Sequence, residues 1–127
     1  MFNTLLVEDN VSYRKKLSDA LFLHFPLIGV DEVGDGREAL SKVEYQRPNL
    51  IFMDIQLPGE NGLGVTKKIK RVYDNIVIVI LTTNDLPEYR QQAFLNGADY
   101  FLSKGDDSCM ENILARVERA MASESSH

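Results

Sequence analysis

The stretch IVIVIL at residues 76–81 decides the fold of this chain. Six consecutive aliphatic residues, most of them β-branched, favour a β-strand. Because no polar residue alternates with them, both faces of this strand are expected to be buried, as in a parallel sheet covered by helices. The segment therefore predicts a central strand of an α/β domain.

Four further segments have the composition of strands, and a segment typical of a helix follows each of the five. Three of them are short, mostly apolar runs followed by a polar residue: residues 2–7, 50–53 and 100–102. Residues 28–33 are a weaker candidate and are followed by a glycine. Helical spacing is carried by mostly apolar residues: Leu17, Ala20, Leu21 and His24; Ala39, Leu40 and Val43; Val65, Ile69 and Val72; Met110, Ile113, Leu114, Val117 and Met121.

Capping signals indicate where the helices begin and end. The start signals are Asn10, Asp35 with Glu38, Asp85 with Pro87, and Ser108 with Glu111, and the stop signals are Pro48 and Gly97. After the third strand, Pro58, Gly59, Gly62 and Gly64 predict a loop before the third helix. His24 is expected on the packed face or at the end of the first helix.

Five strand–helix alternations with short connections predict a doubly wound domain, in which a parallel sheet carries helices on both faces. We assign residues 1–122 to this domain and expect 123–127 to form a flexible tail or the start of a linker. The chain has 127 residues, of which 44% are apolar and 26% charged. This is enough material for one domain with one core.

Composition excludes several classes of function. A net charge of −5 argues against direct nucleic-acid binding, which depends on clustered Lys and Arg. No apolar run approaches the roughly 20 residues of a membrane span, and the start of the chain lacks a basic leader. The single cysteine, Cys109, fits a reducing compartment. We therefore expect a cytoplasmic protein without membrane contact.

Polar side chains follow four of the five predicted strands. They are Glu8 and Asp9 after the first, Asp54 after the third, Thr82 and Thr83 after the fourth, and Lys104 after the fifth. In an open parallel sheet the carboxyl ends of the strands meet at one edge, where ligands bind. These residues are therefore expected to form one site.

Three carboxylates in one site repel each other, at about 4 kcal/mol for each pair 4 Å apart with an effective dielectric of about 20. Either one carboxyl stays protonated or a divalent cation binds. Oxygen ligands beside a phosphate favour Mg²⁺ over Ca²⁺, since few protein ligands are available. Asp54 is then a candidate nucleophile toward a phosphoryl group, with Mg²⁺, Lys104 and Thr82 absorbing the charge.

At this point the sequence resembles the receiver domain of two-component response regulators, over essentially its whole length. The resemblance rests on four features: Glu8 with Asp9, Asp54 with Pro58 and Gly62, Thr82, and Lys104. Each motif is weak by itself, but together and in order they are specific. The resemblance implies a flavodoxin-like, five-stranded parallel sheet in the order 2-1-3-4-5.

The resemblance implies a phosphoacceptor switch and not an enzyme with a separate substrate. Asp54 would receive a phosphoryl group from a histidine kinase or phosphotransfer protein. Asp9, Asp54 and the backbone carbonyl of Gln56 would bind Mg²⁺ directly, with Glu8 acting through water. Lys104 would pair with the phosphoryl oxygens.

The resemblance also implies a switch. Thr82 would be drawn toward the phosphoryl group and Phe101 would change its burial, so that the fourth helix, fifth strand and fifth helix form the signalling surface. This surface would control an output domain or effector protein, including a helix-turn-helix DNA-binding domain outside this chain, or a second copy in a homodimer. Gln56, Thr83 and Asn84 would influence how long the phosphoryl group lasts.

The chain departs from the family pattern at several positions. Thr83 replaces a smaller residue and narrows access to the site. Gly105 replaces a proline, so a cis Lys104–Gly105 peptide bond would cost about 2.5–4 kcal/mol, and the sequence leaves open whether this bond is cis or trans. Phe101 lacks the hydroxyl of the commoner tyrosine and is equally explained as a core residue. Gln56 and Asn84 are equally explained as solvated loop residues.

Other functions fit the sequence less well. A haloacid-dehalogenase-type phosphatase needs a second acid two residues after its nucleophile, where this chain has Gln56. In a flavodoxin-like electron carrier, Glu8 and Asp9 would repel the phosphate of the flavin. The dinucleotide-binding glycine pattern is absent after the first strand. A phosphorylation-independent, receiver-like interaction module remains the alternative.

Overall fold

In the computed structural model, which describes residues 1–125, parallel strands alternate with α-helices along the chain. The elements are β1 (Asn3–Val7), α1 (Val11–His24), β2 (Gly29–Val33), α2 (Gly36–Gln46), β3 (Leu50–Met53), α3 (Gly62–Val72), β4 (Val77–Thr82), α4 (Pro87–Leu95), β5 (Tyr100–Ser103) and α5 (Cys109–Ser125). The predicted strands are confirmed, with boundaries that differ by one residue at most.

The five strands form one parallel sheet in the order β2-β1-β3-β4-β5. The predicted doubly wound, flavodoxin-like architecture is therefore confirmed. The register aligns the last residues of neighbouring strands: Val7 pairs with Val33 and with Met53, and Thr82 pairs with Ser103. As a result, the residues that follow β1, β3, β4 and β5 all emerge at the same edge, which we call the carboxyl edge.

The sheet separates two apolar cores, one on each face. Alternate residues of the central strands point to opposite sides: Ile78 and Ile80 of β4 join the core beneath α2, α3 and α4, whereas Val79 and Leu81 join the core beneath α1 and α5. All four are at most 3% exposed. The uninterrupted apolar composition of this segment thus reflects burial on both faces.

Short polar side chains begin three of the helices. Asn10 accepts the N–H of Tyr13 at 2.9 Å, Asp35 accepts that of Glu38 at 2.8 Å, and Asn61 accepts that of Gly64 at 3.1 Å. These bonds satisfy backbone donors that have no partner within the first turn. Pro87 is the first residue of α4, and Gly97, at a φ of 103°, follows the end of that helix.

One sequence prediction about the helices was wrong. Gly62 and Gly64 were assigned to a loop, but Asn61 caps α3 and both glycines lie in its first turn. Of the two places expected for His24, the structure confirms the helix end: it is the last residue of α1 and is exposed, so it does not belong to the packed face. Val72 lies in the third helix as predicted, where it is the last residue and 70% exposed.

The final helix is longer than the sequence indicated. Residues 123–125, assigned to a tail, continue α5 to Ser125, while Ser126 and His127 lie outside the described residues. Across residues 1–125, none of the helices combines the length and the apolar character that crossing a bilayer requires.

Candidate functional site

Sheet hydrogen bonds hold the residues that follow the strands. The backbone N–H of Glu8 donates to Val33 at 3.1 Å, and that of Asp54 donates to Val7 at 3.0 Å. On the other side of the site, the N–H of Lys104 donates to the carbonyl of Thr82 at 2.8 Å. Each residue therefore lies one step beyond a strand, with its backbone still fixed by the neighbouring strand.

Glu8, Asp9 and Asp54 bring their carboxylates together at this edge. One oxygen from each lies within 4.8 Å of the other two. Glu8 and Asp54 are buried, at 5% and 8% exposure, whereas Asp9 is exposed. The set offers oxygen ligands and no sulfur or imidazole, which suits a hard divalent cation such as Mg²⁺.

Lys104 lies between the two buried acids. Its ammonium donates to Oε1 of Glu8 and, at 3.2 Å, to Oδ2 of Asp54. The other oxygen of Glu8 accepts the N–H of Asn10 at 3.0 Å, so both oxygens of that carboxylate are engaged. Three carboxylates and one ammonium leave two formal negative charges in the site, which favours the binding of a divalent cation.

Burial and pairing act in opposite directions on the buried charges. Burial raises the pKa of Glu8, although the hydrogen bond from Lys104 partly opposes this. For Lys104, burial by itself lowers the pKa, but the bond to Glu8 and the charge of Asp54 outweigh it, so the pKa is raised. We assign Glu8 and Lys104 as ionised at neutral pH, because a protonated Glu8 would lose the observed ion pair.

The other predicted residues lie at the ends of β3 and β4 and in the loops that follow. Thr82 is fully buried, and its hydroxyl accepts the N–H of Asn84 at 3.2 Å. The backbone N–H of Gln56 donates to Oδ1 of Asp54 at 3.4 Å, and the Gln56 side chain is exposed. The Thr83 side chain is also exposed.

Phe101 lies in the core on β5 and is 6% exposed. The guanidinium of Arg90, on α4, lies 4.8 Å from the centre of its ring. The Lys104–Gly105 peptide bond, which the sequence left open, is trans. Phe101 pairs with Ile80 of β4 in the register of the sheet, and its ring lies on the side covered by α4.

Two residues at the start of α1 also contact the site, although they were not predicted from the sequence. The ammonium of Lys104 lies 4.4 Å from the centre of the Tyr13 ring. Arg14 donates to the backbone carbonyl of Glu8 at 2.8 Å and to the Glu32 carboxylate at 3.2 Å. The spacing of Tyr13 from Leu17, four residues later on the same helix face, was the signal that could have identified Tyr13.

The Tyr13 hydroxyl also hydrogen-bonds the thiol of Cys109, the first residue of α5. Burial is the main cause that raises the pKa of Tyr13, and the nearby Cys109 raises it further. Burial likewise raises the pKa of the Cys109 thiol. Both groups are therefore neutral at physiological pH. Cys109, on α5, packs against α1, in keeping with a structural role.

An open groove gives access to the acidic cluster from the side of the β3–α3 loop. Its lining combines two predicted site residues with apolar and polar loop residues and one residue of α4: Asp9, Ile55, Gln56, Leu57, Pro58, Asn61 and Tyr89. Asp9 and Gln56 are therefore accessible from solvent through this groove.

The fold and this site together define a class of protein: signalling domains that hold an acidic cluster and a lysine at the carboxyl edge of a 2-1-3-4-5 sheet. Residues 4–118 match the family model of the response regulator receiver domain. The chain therefore belongs to the receiver domain family of response regulators, which confirms the resemblance noted in its sequence.

Individual relatives agree with this assignment. Response regulator MprA of Mycolicibacterium vanbaalenii is 32% identical over 113 residues, which are 89% of this chain and 47% of the relative. The DNA-binding transcriptional activator EvgA of Escherichia coli strain K12 is 34% identical over 90 residues, covering 70% of this chain and 43% of the relative. The chain thus spans about half the length of these relatives.

A solved structure gives the same result for the fold. The crystal structure of a DNA-binding response regulator of the LuxR family from Staphylococcus aureus superimposes with a TM-score of 0.85 at 25% identity. The match covers 94% of this chain and 98% of that one.

Proposed function

We propose that Asp54 accepts a phosphoryl group from a histidine kinase or a phosphotransfer protein, and that this reaction depends on Mg²⁺. The observation that carries the proposal is the position of the Asp54 carboxylate, which contacts Lys104 at 3.2 Å and lies within 4.8 Å of two further carboxylates. A lysine and a divalent cation near a carboxylate would supply the positive charge that phosphoryl transfer to it needs.

Asp54 acts as the nucleophile. One of its carboxylate oxygens forms a bond to phosphorus while the P–N bond of the donor phosphohistidine breaks, and the imidazole leaves with the electron pair of that bond. The N–H groups of Lys104 neutralise negative charge on the transferred group. The buried hydroxyl of Thr82 exchanges its bond with Asn84 for one to a phosphoryl oxygen.

Asp9, Asp54 and the backbone carbonyl of Gln56 are the proposed direct ligands of Mg²⁺. Glu8 acts through water, since Lys104 and the N–H of Asn10 already engage both of its oxygens. When bound, the cation neutralises the two excess negative charges and compensates the oxygens of the phosphoryl group. The exposed position of Asp9 lets a cation enter from solvent.

The proposed switch connects Thr82 with Phe101. Movement of the Thr82 hydroxyl toward the phosphoryl group vacates space beside β5, and Phe101, now beneath Arg90, changes its packing. The surface formed by α4, β5 and α5 changes with it. A coupling of about 1–3 kcal/mol would change the affinity for a partner roughly 5- to 150-fold.

Three residues at the rim of the site are proposed to set the lifetime of the phosphoryl group. The side chains of Gln56 and Thr83 are exposed, and Asn84 is half-buried. Gln56 and Asn84 can aim a water molecule at the phosphorus, and Thr83 restricts its approach. Substitution of these residues is expected to alter the rate at which the phosphoryl group is hydrolysed more than the rate of phosphorylation.

The partner of this domain is proposed to be an output domain or effector protein. Both EvgA and the S. aureus relative are described as DNA-binding, and the chain matches about half of EvgA. Because its own net charge is −5, DNA contact falls to a segment outside this chain, such as a helix-turn-helix domain. We propose a cytoplasmic receiver domain at residues 1–122, with a homodimer as a further assembly.

The test is the intact mass of the protein after incubation with acetyl phosphate, with and without Mg²⁺. Wild type should gain the mass of one phosphoryl group only with Mg²⁺, and Asp54→Asn should gain none. Asp99→Asn, at the opposite edge of the sheet, is the matched control and should gain the same mass as wild type. If wild type gains nothing, the phosphorylation-independent interaction module is the better description.

A further inference from the structure

Tyr13 contacts Lys104, but the proposed phosphorylation reaction assigns it no role. It lies in the first turn of α1, half-buried against the core shared with α5. The centre of its ring is 4.4 Å from the Lys104 ammonium. Two of the contacts of that ammonium are with carboxylates, and the ring covers a third side.

We propose that Tyr13 is a positioning residue, whose ring holds the Lys104 ammonium in line with Asp54 and so sets the rate at which Asp54 is phosphorylated. This inference rests on the proposed function of Asp54 and Lys104. It adds a residue from a fifth segment of the chain, α1, to a site built from the ends of strands.

The physical reason is the flexibility of lysine. Its side chain has four rotatable bonds, and ordering them costs about 2 kcal/mol. A cation over the face of an aromatic ring is stabilised by about 0.5–2 kcal/mol, more when water is excluded. The ring therefore offsets much of the entropy lost when Lys104 is held beside Asp54, where it is only 11% exposed.

The ring is itself anchored, which makes it suitable for this role. Its hydroxyl hydrogen-bonds Cys109 at the start of α5, and the start of its helix is fixed because the backbone N–H of Tyr13 donates to the Asn10 side chain at 2.9 Å. The ring is thus held between α1 and α5 and presents one face to Lys104. A freely rotating side chain would not restrict the ammonium in this way.

Two substitutions separate the ring from the hydroxyl. Tyr13→Phe keeps the ring face and loses the bond to Cys109, and Tyr13→Leu removes the ring while keeping an apolar side chain. With acetyl phosphate and Mg²⁺, Tyr13→Leu should slow phosphorylation roughly 2- to 30-fold, as expected for the loss of one cation–π contact. Tyr13→Phe should stay within about twofold of wild type.

Tyr73 provides a matched control. It is also half-buried, and the guanidinium of Arg47 lies 4.7 Å from the centre of its ring, but it follows α3 at the amino end of β4. Tyr73→Leu removes a comparable contact away from the site. Its phosphorylation rate should equal that of wild type, even if its stability falls.

A second background distinguishes positioning from a general structural effect. In Lys104→Met, where no ammonium remains to be held, Tyr13→Leu should cause no further loss of rate. An equal loss in both backgrounds would overturn the proposal. So would a Tyr13→Phe protein as slow as Tyr13→Leu, because the hydroxyl and not the ring would then be responsible.

A measurement without phosphorylation tests the geometry separately. In ¹³C-lysine-labelled protein, the ε-methylene protons of Lys104, assigned by their loss in Lys104→Met, should be shifted upfield by the ring current in wild type and Tyr13→Phe. The shift should vanish in Tyr13→Leu. A wild type with this shift but without phosphorylation would overturn the proposed function of Asp54, and with it the rate effect claimed for Tyr13. A wild type that is phosphorylated without the shift would overturn only the positioning by Tyr13.

Discussion

The amino and carboxyl edges of the sheet both carry charged side chains but arrange them differently. At the amino edge, Asp99 accepts the N–H of Ile78 at 2.8 Å and pairs with Lys70 at 2.8 Å. At the carboxyl edge, three carboxylates share one ammonium. At the amino edge, the carboxylate is thus paired with a backbone N–H and with a lysine of opposite charge. The carboxyl edge, in contrast, keeps an excess of negative charge.

This difference teaches how a structural polar group can be told from a functional one. A carboxylate that accepts a backbone N–H and neutralises a lysine stabilises the fold without a ligand. Like charges held together in a buried site oppose folding and are retained where a ligand or reaction requires them. The excess of charge, and not the presence of charge, distinguishes the carboxyl edge.

The largest expected effect comes from a steric overlap introduced at the carboxyl edge. A Cβ on Gly62 would lie 1.9 Å from the carbonyl oxygen of Asp54. Gly62→Ala should therefore lower the free energy of unfolding by about 3 kcal/mol, because backbone must move to relieve the overlap. Urea denaturation measures this change.

Gly59→Ala, in the loop that precedes α3, is its control. A Cβ there meets nothing within 4 Å, so its only penalty arises from a φ of 77°. The expected loss is about 1 kcal/mol. Equal losses for the two variants would contradict the view that α3 must begin in close contact with Asp54.

The next effect is a structural one at the amino edge. Asp99→Ala removes the acceptor of the Ile78 N–H and the partner of Lys70, so stability should fall by about 1–2 kcal/mol. Phosphorylation of Asp54 by acetyl phosphate should stay within about twofold of wild type, since the edge is not part of the reaction. A large rate loss at unchanged stability would break the distinction between the two edges.

At the carboxyl edge, removal of an acidic side chain should raise the stability of the protein instead of lowering it. Asp9→Asn removes one of three like charges, so without metal the protein should be more stable by about 0.5–1 kcal/mol, given the exposure of Asp9. Its apparent Mg²⁺ affinity should fall at least about tenfold, because a proposed ligand is lost. Urea denaturation with EDTA and a Mg²⁺ titration followed by intrinsic tyrosine fluorescence check the two parts. A destabilised, Mg²⁺-competent Asp9→Asn would contradict both.

The smallest effect concerns pH. Because the pKa of Lys104 in the folded protein is raised above 10.5, the native state holds this proton more tightly than the unfolded state. The resulting stability is fully present below about pH 10.5 and is lost as the pH rises through the folded pKa. Wild type should therefore lose more stability than Lys104→Met between pH 9 and about pH 11.5 in urea denaturation. Parallel curves would show that the ion pair does not contribute.

Most of the fold could be predicted because the relevant forces leave local patterns. Burial on both faces appears as the uninterrupted apolar composition of β4, and caps appear as Asn10 and Asp35 before the helices they begin. The errors arose where local patterns conflict. Gly62 and Gly64 resemble loop residues, yet both are helical, because Asn61 caps α3 at this point. At Gly62 only glycine fits beside the carbonyl of Asp54.

The candidate site could be predicted in outline but not in its contacts. Parallel topology brings the residues after β1, β3, β4 and β5 to one edge whatever their side chains, so Glu8, Asp54, Thr82 and Lys104 could be grouped from the sequence. Tyr13 was missed because it does not follow a strand. Its place in the site depends on how α1 packs beside α5.

The sequence by itself determined the alternation of strands and helices, the burial of the central strands and the set of polar residues that the carboxyl edge collects. Periodicity and capping express these features within a few residues of each position. Only the tertiary structure decided that Lys104 joins Glu8 and Asp54, across 96 and 50 residues of chain, and that Tyr13 covers its ammonium. Such contacts depend on side-chain rotamers and on packing between distant elements, which local sequence patterns do not record.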